Sequence, residues 1–236
     1  MEIKKNTVCA FIPARGGSKT IKLKNLVEIN NKPLIFYAIS TLLKLDKVLD
    51  SIVCSTDHES IQSYVESFGI AVVPRPKSLS VDSSKTEESI NHYLREYLND
   101  SLPEFIFLVQ PTSPLTREED YLKLLSMIKE YDLSDSVQTI CKVKHHDHAI
   151  NQRIIKNGYV NFVYKNLRKK LYNKQKKPEH FKFGNLVVFR TLSFLNTGSV
   201  FGNKSKYLEV PEKYCIDIDN YEDVEKLNFL MKKGFF

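Results

Sequence analysis

A basic loop with two adjacent glycines follows the first apolar run of the sequence. The residues of this loop and of its continuation are Ala14, Arg15, Gly16, Gly17, Ser18, Lys19, Lys24 and Asn25. Adjacent glycines let backbone N–H groups approach phosphate oxygens, and arginine and lysine side chains neutralise phosphate charge. A Walker motif is excluded, because Ser18 separates Gly17 from Lys19. The loop therefore predicts a phosphate site of another kind, with a turn of solvated charges as the alternative.

Two carboxylates, Asp217 and Asp219, lie one residue apart near the end of the chain. Alternation along an extended segment puts both on one side, where they can hold a hard divalent cation such as Mg²⁺. The alternative is structural, because Asp219 or Asn220 can cap a following helix. The sequence leaves the metal site and the helix cap as competing explanations.

A third motif combines two prolines with neutral polar side chains. Gln110, Thr112 and Ser113 alternate with Pro111 and Pro114 directly after an apolar run. The prolines fix the loop, and neutral hydrogen-bonding groups are suited to a sugar or a base. We predict that these three polar residues contact a substrate, although a stiff turn into the next helix explains the pattern equally well.

The net charge of +7 is concentrated in one segment. Eight basic residues lie between Lys165 and Lys182 against one acidic residue, and the rest of the chain is balanced. We predict that this segment binds the anionic group of a substrate, a carboxylate or a phosphate, through Lys174, Gln175 and Lys182, with Lys176 or Lys177 in reserve. The alternative is a solvated face of a dimerisation arm. Nucleic-acid binding is the weaker explanation of this charge. The nearby cluster of His145, His146 and His148 is interpreted as polar lid residues rather than a metal site.

The spacing of apolar residues predicts the elements that position these motifs. Strands are expected at Val8–Ala14, Ser51–Ser55, Ala71–Val73, Phe105–Val109 and Val137–Val143. Helices are expected at Pro33–Leu45, Glu59–Phe68, Thr86–Leu98, Glu118–Tyr131 and Tyr221–Lys232. This alternation predicts an α/β fold, with a mostly parallel sheet and helices on both faces. Ligands of such sheets bind at the carboxyl ends of the strands, where the first and third motifs lie.

The alternation stops after His145. An Asn157-Gly158 turn between extended runs predicts a hairpin, and a further strand is expected at Leu186–Phe189. We predict one domain over residues 1–236, with a small β-rich lid or dimerisation segment inserted over 145–185.

Composition restricts the class of protein. The 236 residues are 42% hydrophobic, and no apolar run approaches the roughly 20 residues that cross a bilayer. The start of the chain lacks a signal-peptide pattern, and the four cysteines form no CxxC motif. We expect a cytoplasmic protein with reduced thiols and without membrane contacts.

Taken in order, the motifs resemble the acylneuraminate cytidylyltransferase family, the CMP-sialic acid synthetases. The matching residues are Ile12–Lys19 with Lys24-Asn25, Ser55-Thr56-Asp57, Arg75-Pro76, Gln110–Pro114 and Asp217-Ile218-Asp219. The resemblance spans roughly residues 7–230 and implies a Rossmann-like nucleotidyltransferase fold, a homodimer and Mg²⁺ as cofactor. It further implies transfer of CMP from CTP to an acidic sugar, with release of pyrophosphate.

The resemblance also implies roles for individual residues. Arg15 and Lys24 correspond to residues that bind the triphosphate, beside the backbone of Ala14 and Gly16–Ser18. Asp217 and Asp219 correspond to the pair that handles the metal and the attacking hydroxyl, and Gln110 corresponds to a sugar contact. The positions around the cytidine are Asn25, Arg75, Ser84 and Thr86.

Departures from the family pattern concentrate in the acceptor half. Thr20 replaces a usual glycine, Ala149 stands where a lysine follows the histidines, and the usual patterns at 174–178 and 184–188 are altered. Two rival hypotheses follow. One keeps the reaction but changes the acceptor to a legionaminic, pseudaminic, Kdo-like or phosphorylated compound, and the other is a nucleotide- or RNA-binding protein without catalysis.

Overall fold

The computed structural model describes residues 2–98, 101–171 and 177–234. Its strands are β1 (Glu2–Pro13), β2 (Glu28–Ile29), β3 (Lys32–Pro33), β4 (Ser51–Thr56), β5 (Ala71–Pro74), β6 (Ser101–Val109), β7 (Ser136–Lys142), β8 (Arg153–Lys156), β9 (Tyr159–Phe162), β10 (Phe181–Arg190) and β11 (Ser205–Glu209). Its α-helices are α1 (Leu34–Leu43), α2 (Glu59–Glu66), α3 (Thr86–His92), α4 (Glu118–Glu130), α5 (Lys165–Lys170), α6 (Thr191–Thr197) and α7 (Tyr221–Lys232).

Seven strands form one sheet in the order β11-β7-β10-β6-β1-β4-β5. Strand β1 pairs in parallel with β4 and β6, β4 with β5, and β7 with β11. Strand β10 runs antiparallel to both of its neighbours, β6 and β7. The carboxyl ends of the other six strands therefore meet at one edge, and the predicted mostly parallel α/β fold is confirmed.

Burial on both faces explains why the strands appear as continuous apolar runs. In β1, Ala10 and Ile12 pack into the cluster that contains Ile39 of α1, whereas Cys9 and Phe11 pack into the cluster that contains Ile90 of α3. Alternate residues of one strand thus contribute to two helix-covered cores.

The predicted elements differ from the observed ones mainly at their ends. Pro33 precedes α1 as its N-cap rather than occupying its first turn. The predicted helix over Thr86–Leu98 is α-helical only to His92 and continues as a π-helical turn over Tyr93–Tyr97. The sequence prediction missed α5, α6, β11 and the short β2–β3 pair.

The segment after β7 forms the predicted hairpin. Strands β8 and β9 pair with each other across Asn157 and Gly158, whose φ angles are 52° and 76°. Both angles suit the turn that an Asn-Gly dipeptide favours. The hairpin leaves large apolar side chains in solvent, including Ile155 and Tyr159, each 76% exposed.

Among the described residues, no helix has both the length and the apolar character that a membrane-spanning helix needs.

Candidate functional site

A cavity of about 300 Å³ lies at the carboxyl ends of β1, β5 and β6, and we call it the Arg15 cavity. It brings together residues that the sequence separates by up to about a hundred positions. The predicted site residues that line it are Arg15, Gly17, Ser18, Lys24, Asn25, Arg75, Ser84, Thr86, Gln110 and Thr112. The structure therefore assembles most of the predicted nucleotide residues with two of the predicted substrate residues.

In the two predicted loops that follow β1 and β6, Ala14, Gly16 and Ser113 are the predicted residues that do not line this cavity. Ala14 is fully buried, and its backbone N–H donates to the Ser55 carbonyl at 2.9 Å. Ser113 is 3% exposed, and its hydroxyl has no hydrogen-bond partner among the described residues. Gly16 faces the loop after β4. Ala14 and Ser113 are therefore buried beside lining residues rather than open to a ligand.

Gly16 has a packing reason for being glycine that differs from the predicted one. A Cβ at this position would lie 2.7 Å from His58 Cβ and 2.8 Å from His58 Cδ2. The backbone N–H of Gly16 donates to Asp57 Oδ1 at 2.8 Å, so the structure directs it to a carboxylate instead of the cavity. Gly17 lines the cavity, and its missing side chain leaves room for an approaching ligand.

The two cations at the mouth of the loop are held by a carboxylate that the sequence analysis did not identify. Asp82 accepts from Lys19 Nζ at 3.0 Å and from an Arg15 terminal nitrogen at 3.1 Å. Hydrogen bonding to Lys19 and the charges of both cations hold the pKa of Asp82 below its usual value. Asp82 occupies the position relative to Arg15 and Lys19 that an anionic ligand would take. The polar stretch 80–84 was the only sequence signal for it.

The predicted carboxylate pair lies beside Lys24. Asp219 Oδ1 is 3.2 Å from Lys24 Nζ, and Ile218 between the two aspartates is fully buried. Asp217 remains exposed, but the protein around its carboxyl removes enough water to raise the pKa. A hydrogen bond from Thr112 and the charge of Lys24 oppose that increase, and Asp219 adds to it.

Of the two residues predicted as alternatives to cap the following helix, Asn220 is the N-cap and Asp219 is not. The side chain of Asn220 accepts from the Asp223 N–H at 3.0 Å, and Asp223 Oδ2 accepts from the Asn220 N–H at 3.1 Å. This reciprocal capping box begins α7. The side chains of Asp217 and Asp219 take no part in it and remain directed to other partners.

Thr20, which departs from the family pattern, has a defined role in the structure. Its hydroxyl donates to the Asp219 backbone carbonyl at 2.5 Å. The glycine-containing loop is thereby tied to the carboxylate segment, and a glycine could not make this bond.

Two buried polar side chains hold the cavity wall. Arg75 is 8% exposed and donates to the Ser55 carbonyl at 3.0 Å, and burial lowers the pKa of its guanidinium. Asn25 is 7% exposed and donates to the Arg15 carbonyl at 2.9 Å. Ser84 donates to the Ser78 carbonyl at 3.1 Å, and Thr86 is the first residue of α3.

Among the described acceptor residues of the prediction, Gln110 and Thr112 line the Arg15 cavity and Lys182 does not. Lys182 lies on β10, and its ammonium is 3.9 Å from Glu212. Lys174 and Gln175 lie outside the described residues. His148 uses both ring nitrogens, one with the Pro178 carbonyl at 2.9 Å and the other with the Ile150 N–H at 3.2 Å. No group of three potential metal ligands occurs in the described part of the chain.

Known proteins resemble this chain over most of its length. The sequence profile of the family described as "Cytidylyltransferase" matches residues 9–234. The chain is 28% identical over 220 residues to the N-acylneuraminate cytidylyltransferase of Escherichia coli O18:K1:H7, covering 92% of the chain and 50% of that protein. It is 29% identical over 219 residues to the enzyme of the same name from Oncorhynchus mykiss, covering 91% of the chain and 48% of the relative. The chain thus spans about half the length of the curated relatives it matches.

Solved structures with the same fold cover nearly the whole chain. A CMP:2-keto-3-deoxy-manno-octonic acid synthetase complexed with CTP aligns with a TM-score of 0.69 at 15% identity, covering 97% of this chain and 99% of that one. The 4-diphosphocytidyl-2C-methyl-D-erythritol synthase of Anaerococcus prevotii aligns with a TM-score of 0.65 at 17% identity, covering 96% and 98%. These structures support the fold, and the profile match supports the family. This chain belongs to the cytidylyltransferase family.

Proposed function

We propose that the chain transfers CMP from CTP to a hydroxyl of an acidic, sialic-acid-like sugar and releases pyrophosphate. The observation that carries the proposal is the meeting of Arg15, Lys24 and Asp217 at one edge of the sheet, next to a polar cavity. The acceptor class is supported by the names of the curated relatives, which are N-acylneuraminate cytidylyltransferases.

The reaction is an in-line displacement at the α-phosphorus of CTP. The acceptor oxygen forms a bond to the α-phosphorus, the bond to the bridging oxygen breaks, and pyrophosphate leaves with its electron pair. Arg15 and Lys24, with the backbone of Gly17 and Ser18, position the triphosphate and stabilise the charge of the leaving group. Asp217 or Asp219 takes the proton of the attacking hydroxyl. Most of the rate enhancement comes from positioning and electrostatics.

Asp217 and Asp219 would also hold Mg²⁺. Their two carboxylates and the phosphates of a bound nucleotide form the oxygen donor set that Mg²⁺ prefers, so the residues fit the ion. When bound, Mg²⁺ supplies charge neutralisation to the phosphate oxygens.

The base and the acceptor are held by different parts of the site. Asn25, Arg75, Ser84 and Thr86 surround the cytidine in this proposal, and Gln110 and Thr112 contact the acceptor. Lys174, Gln175 and Lys182 supply its acidic group with basic and polar partners.

We further propose one cytoplasmic domain over 1–236 that forms a homodimer through the inserted segment 145–185. The exposed apolar side chains of the hairpin, such as Ile155 and Tyr159, support a contact with a second copy. Membrane and nucleic-acid partners have no place in the proposal.

The test is pyrophosphate release with each of the four ribonucleoside triphosphates, with and without Mg²⁺, against a panel of acidic sugars. We expect release only with CTP, Mg²⁺ and one class of sugar. Arg15→Ala and Asp217→Asn should abolish turnover in folded protein, whereas the exposed controls Arg95→Ala and Asp46→Asn should keep it. Normal turnover in either site variant would refute the assigned roles.

Two outcomes would favour the rival hypotheses. Release with a Kdo-like or phosphorylated acceptor keeps the reaction and replaces the sugar, as the similar fold of the CMP:2-keto-3-deoxy-manno-octonic acid synthetase allows. CTP or RNA binding without release across the panel, insensitive to Asp217→Asn, indicates a non-catalytic protein.

A further inference from the structure

The segment that carries the two aspartates is held by hydrogen bonds from three other parts of the chain. The Ile218 N–H donates to the Thr112 carbonyl at 2.8 Å, and the Asp219 N–H donates to Asp223 Oδ2 at 2.9 Å. The Asp219 carbonyl accepts from the Thr20 hydroxyl at 2.5 Å. The last of these contacts joins the aspartate segment to the glycine-containing loop.

The carboxylate of Asp219 depends on its own backbone for its orientation. The side chain is 73% exposed and forms an ion pair with Lys24 Nζ at 3.2 Å. An exposed side chain keeps much of its rotamer freedom, because no neighbouring atoms exclude the alternatives. The position of the Asp219 backbone therefore decides which groups its carboxylate can reach.

Buried neighbours hold the two segments together beside the Thr20 hydrogen bond. Ile21 and Ile218 are both fully buried and belong to one apolar cluster, which also contains Leu227 of α7. Thr20 and Asp219 are the exposed residues next to them in the sequence. Because the packing already holds both segments, the Thr20 hydroxyl can bind the Asp219 carbonyl with little further loss of conformational freedom.

We propose that Thr20 is a positioning residue, which holds the backbone of Asp219 where its carboxylate meets Lys24 and the reacting groups. The inference rests on the proposed function, in which Asp219 holds Mg²⁺ or takes the proton of the attacking hydroxyl. Thr20 does not line the Arg15 cavity, so its effect on the reaction passes through Asp219.

Three variants separate the hydroxyl of Thr20 from the shape of its side chain. Thr20→Val removes the donor and keeps the branched shape, whereas Thr20→Ser keeps the donor. The matched control is Thr197→Val. Thr197 is also exposed, its hydroxyl donates to the Ser193 carbonyl at 2.8 Å, and it does not line the Arg15 cavity.

The expected result is a loss of kcat that depends on the hydroxyl. Thr20→Val should lower kcat about two- to tenfold, the effect of one hydrogen bond, with KM for CTP little changed. Thr20→Ser should keep most of the wild-type kcat, and Thr197→Val should change neither constant. A merely structural role would lower Tm in both valine variants without this separation of kcat from KM.

Three kinetic results would overturn the proposal. One is a wild-type kcat in Thr20→Val. Another is an equal loss of kcat in Thr20→Ser and Thr20→Val, because serine retains the donor. The third is a raised KM for CTP with normal kcat in Thr20→Val, since the threonine would then order the loop for the nucleotide instead of positioning Asp219.

A measurement without turnover separates this proposal from the proposed function. The side chain of Lys24 is 16% exposed and is paired with Asp219. Acetylation followed by mass spectrometry should label Lys24 faster in Thr20→Val than in the wild type, Thr20→Ser or Thr197→Val, because the displaced carboxylate no longer holds the ammonium group. The exposed Lys232 should be labelled equally in all four proteins.

The labelling result stands even if no sugar supports pyrophosphate release. In that case the proposed function fails, and the rate at Lys24 alone decides whether Thr20 positions Asp219. An unchanged rate at Lys24 in Thr20→Val would refute the positioning role.

Discussion

The close contact between Gly16 and His58 gives a prediction with a calculable size. In Gly16→Ala, the new Cβ would lie 2.7 Å from His58 Cβ and 2.8 Å from Cδ2, so the glycine-containing loop or the start of α2 has to move. Overpacking of this kind costs about 1–3 kcal/mol. A domain of this size loses about 2–4 °C in Tm per kcal/mol, so we expect Tm to fall by roughly 2–12 °C. Thermal unfolding followed by circular dichroism measures the change.

Variants of His58 test the cause at the level of atoms. His58→Ala removes Cδ2 but keeps Cβ, whereas His58→Gly removes both contacts. We therefore expect Gly16→Ala/His58→Ala to recover part of the lost stability and Gly16→Ala/His58→Gly to recover more. His58 also caps α2 by accepting from the Ser60 N–H at 3.2 Å, so each His58 variant alone is the reference for its double variant.

The same variants should change activity. Displacement of the loop would move Arg15 and Gly17 away from the proposed triphosphate position, so kcat/KM for CTP should fall in Gly16→Ala and recover with His58→Gly. Two results would refute the reasoning: an unchanged Tm in Gly16→Ala, or a double variant with glycine at position 58 that is no more stable than Gly16→Ala relative to its own reference.

Three further predictions follow from other contacts. Asp82→Asn should lower KM for CTP roughly two- to fivefold, because the carboxylate no longer competes with phosphate for Arg15 and Lys19. Steady-state kinetics at low salt measures this change, and an unchanged KM for CTP would contradict the prediction. Burial raises the pKa of both Cys54 and Cys215 to about 12, so both thiols should be unreactive towards a thiol reagent at pH 8 in native protein and react once it is unfolded. Rapid labelling of either thiol at pH 8 in native protein would contradict the burial. Tyr159→Lys should convert a homodimer into a folded monomer in light scattering, and a wild-type monomer would remove the proposed interface.

The central strands could be predicted from the sequence because they are buried on both faces. Strands β1, β4, β5, β6 and β7 appear as apolar runs because helices cover both faces of the sheet. Strand β11 lies at the edge, where only Leu208 of its five residues is not exposed, so its pattern carries little apolar signal. The hairpin was predicted because Asn157 and Gly158 both adopt the positive φ that their types favour.

Residues of the Arg15 cavity could be predicted from the sequence where a charged or polar residue directly follows a strand. Arg15, Arg75 and Gln110 each come directly or almost directly after a strand, so the sheet brings them together. Asp82 belongs to a loop, and no local pattern relates it to the Arg15 cavity. Its ion pairs with Arg15 and Lys19 depend on tertiary structure, which brings residues far apart in the sequence together.

The contact between Lys24 and Asp219 has a consequence for biosynthesis. These residues are 195 positions apart, yet they face each other across the site. A chain that grows from its amino terminus exposes Lys24 long before Asp219 leaves the ribosome. Lys24 therefore remains without that partner until residue 219 has been synthesised, and the residues proposed to act on CTP come together only after that point. Closing so long a loop also makes this contact a late event in folding.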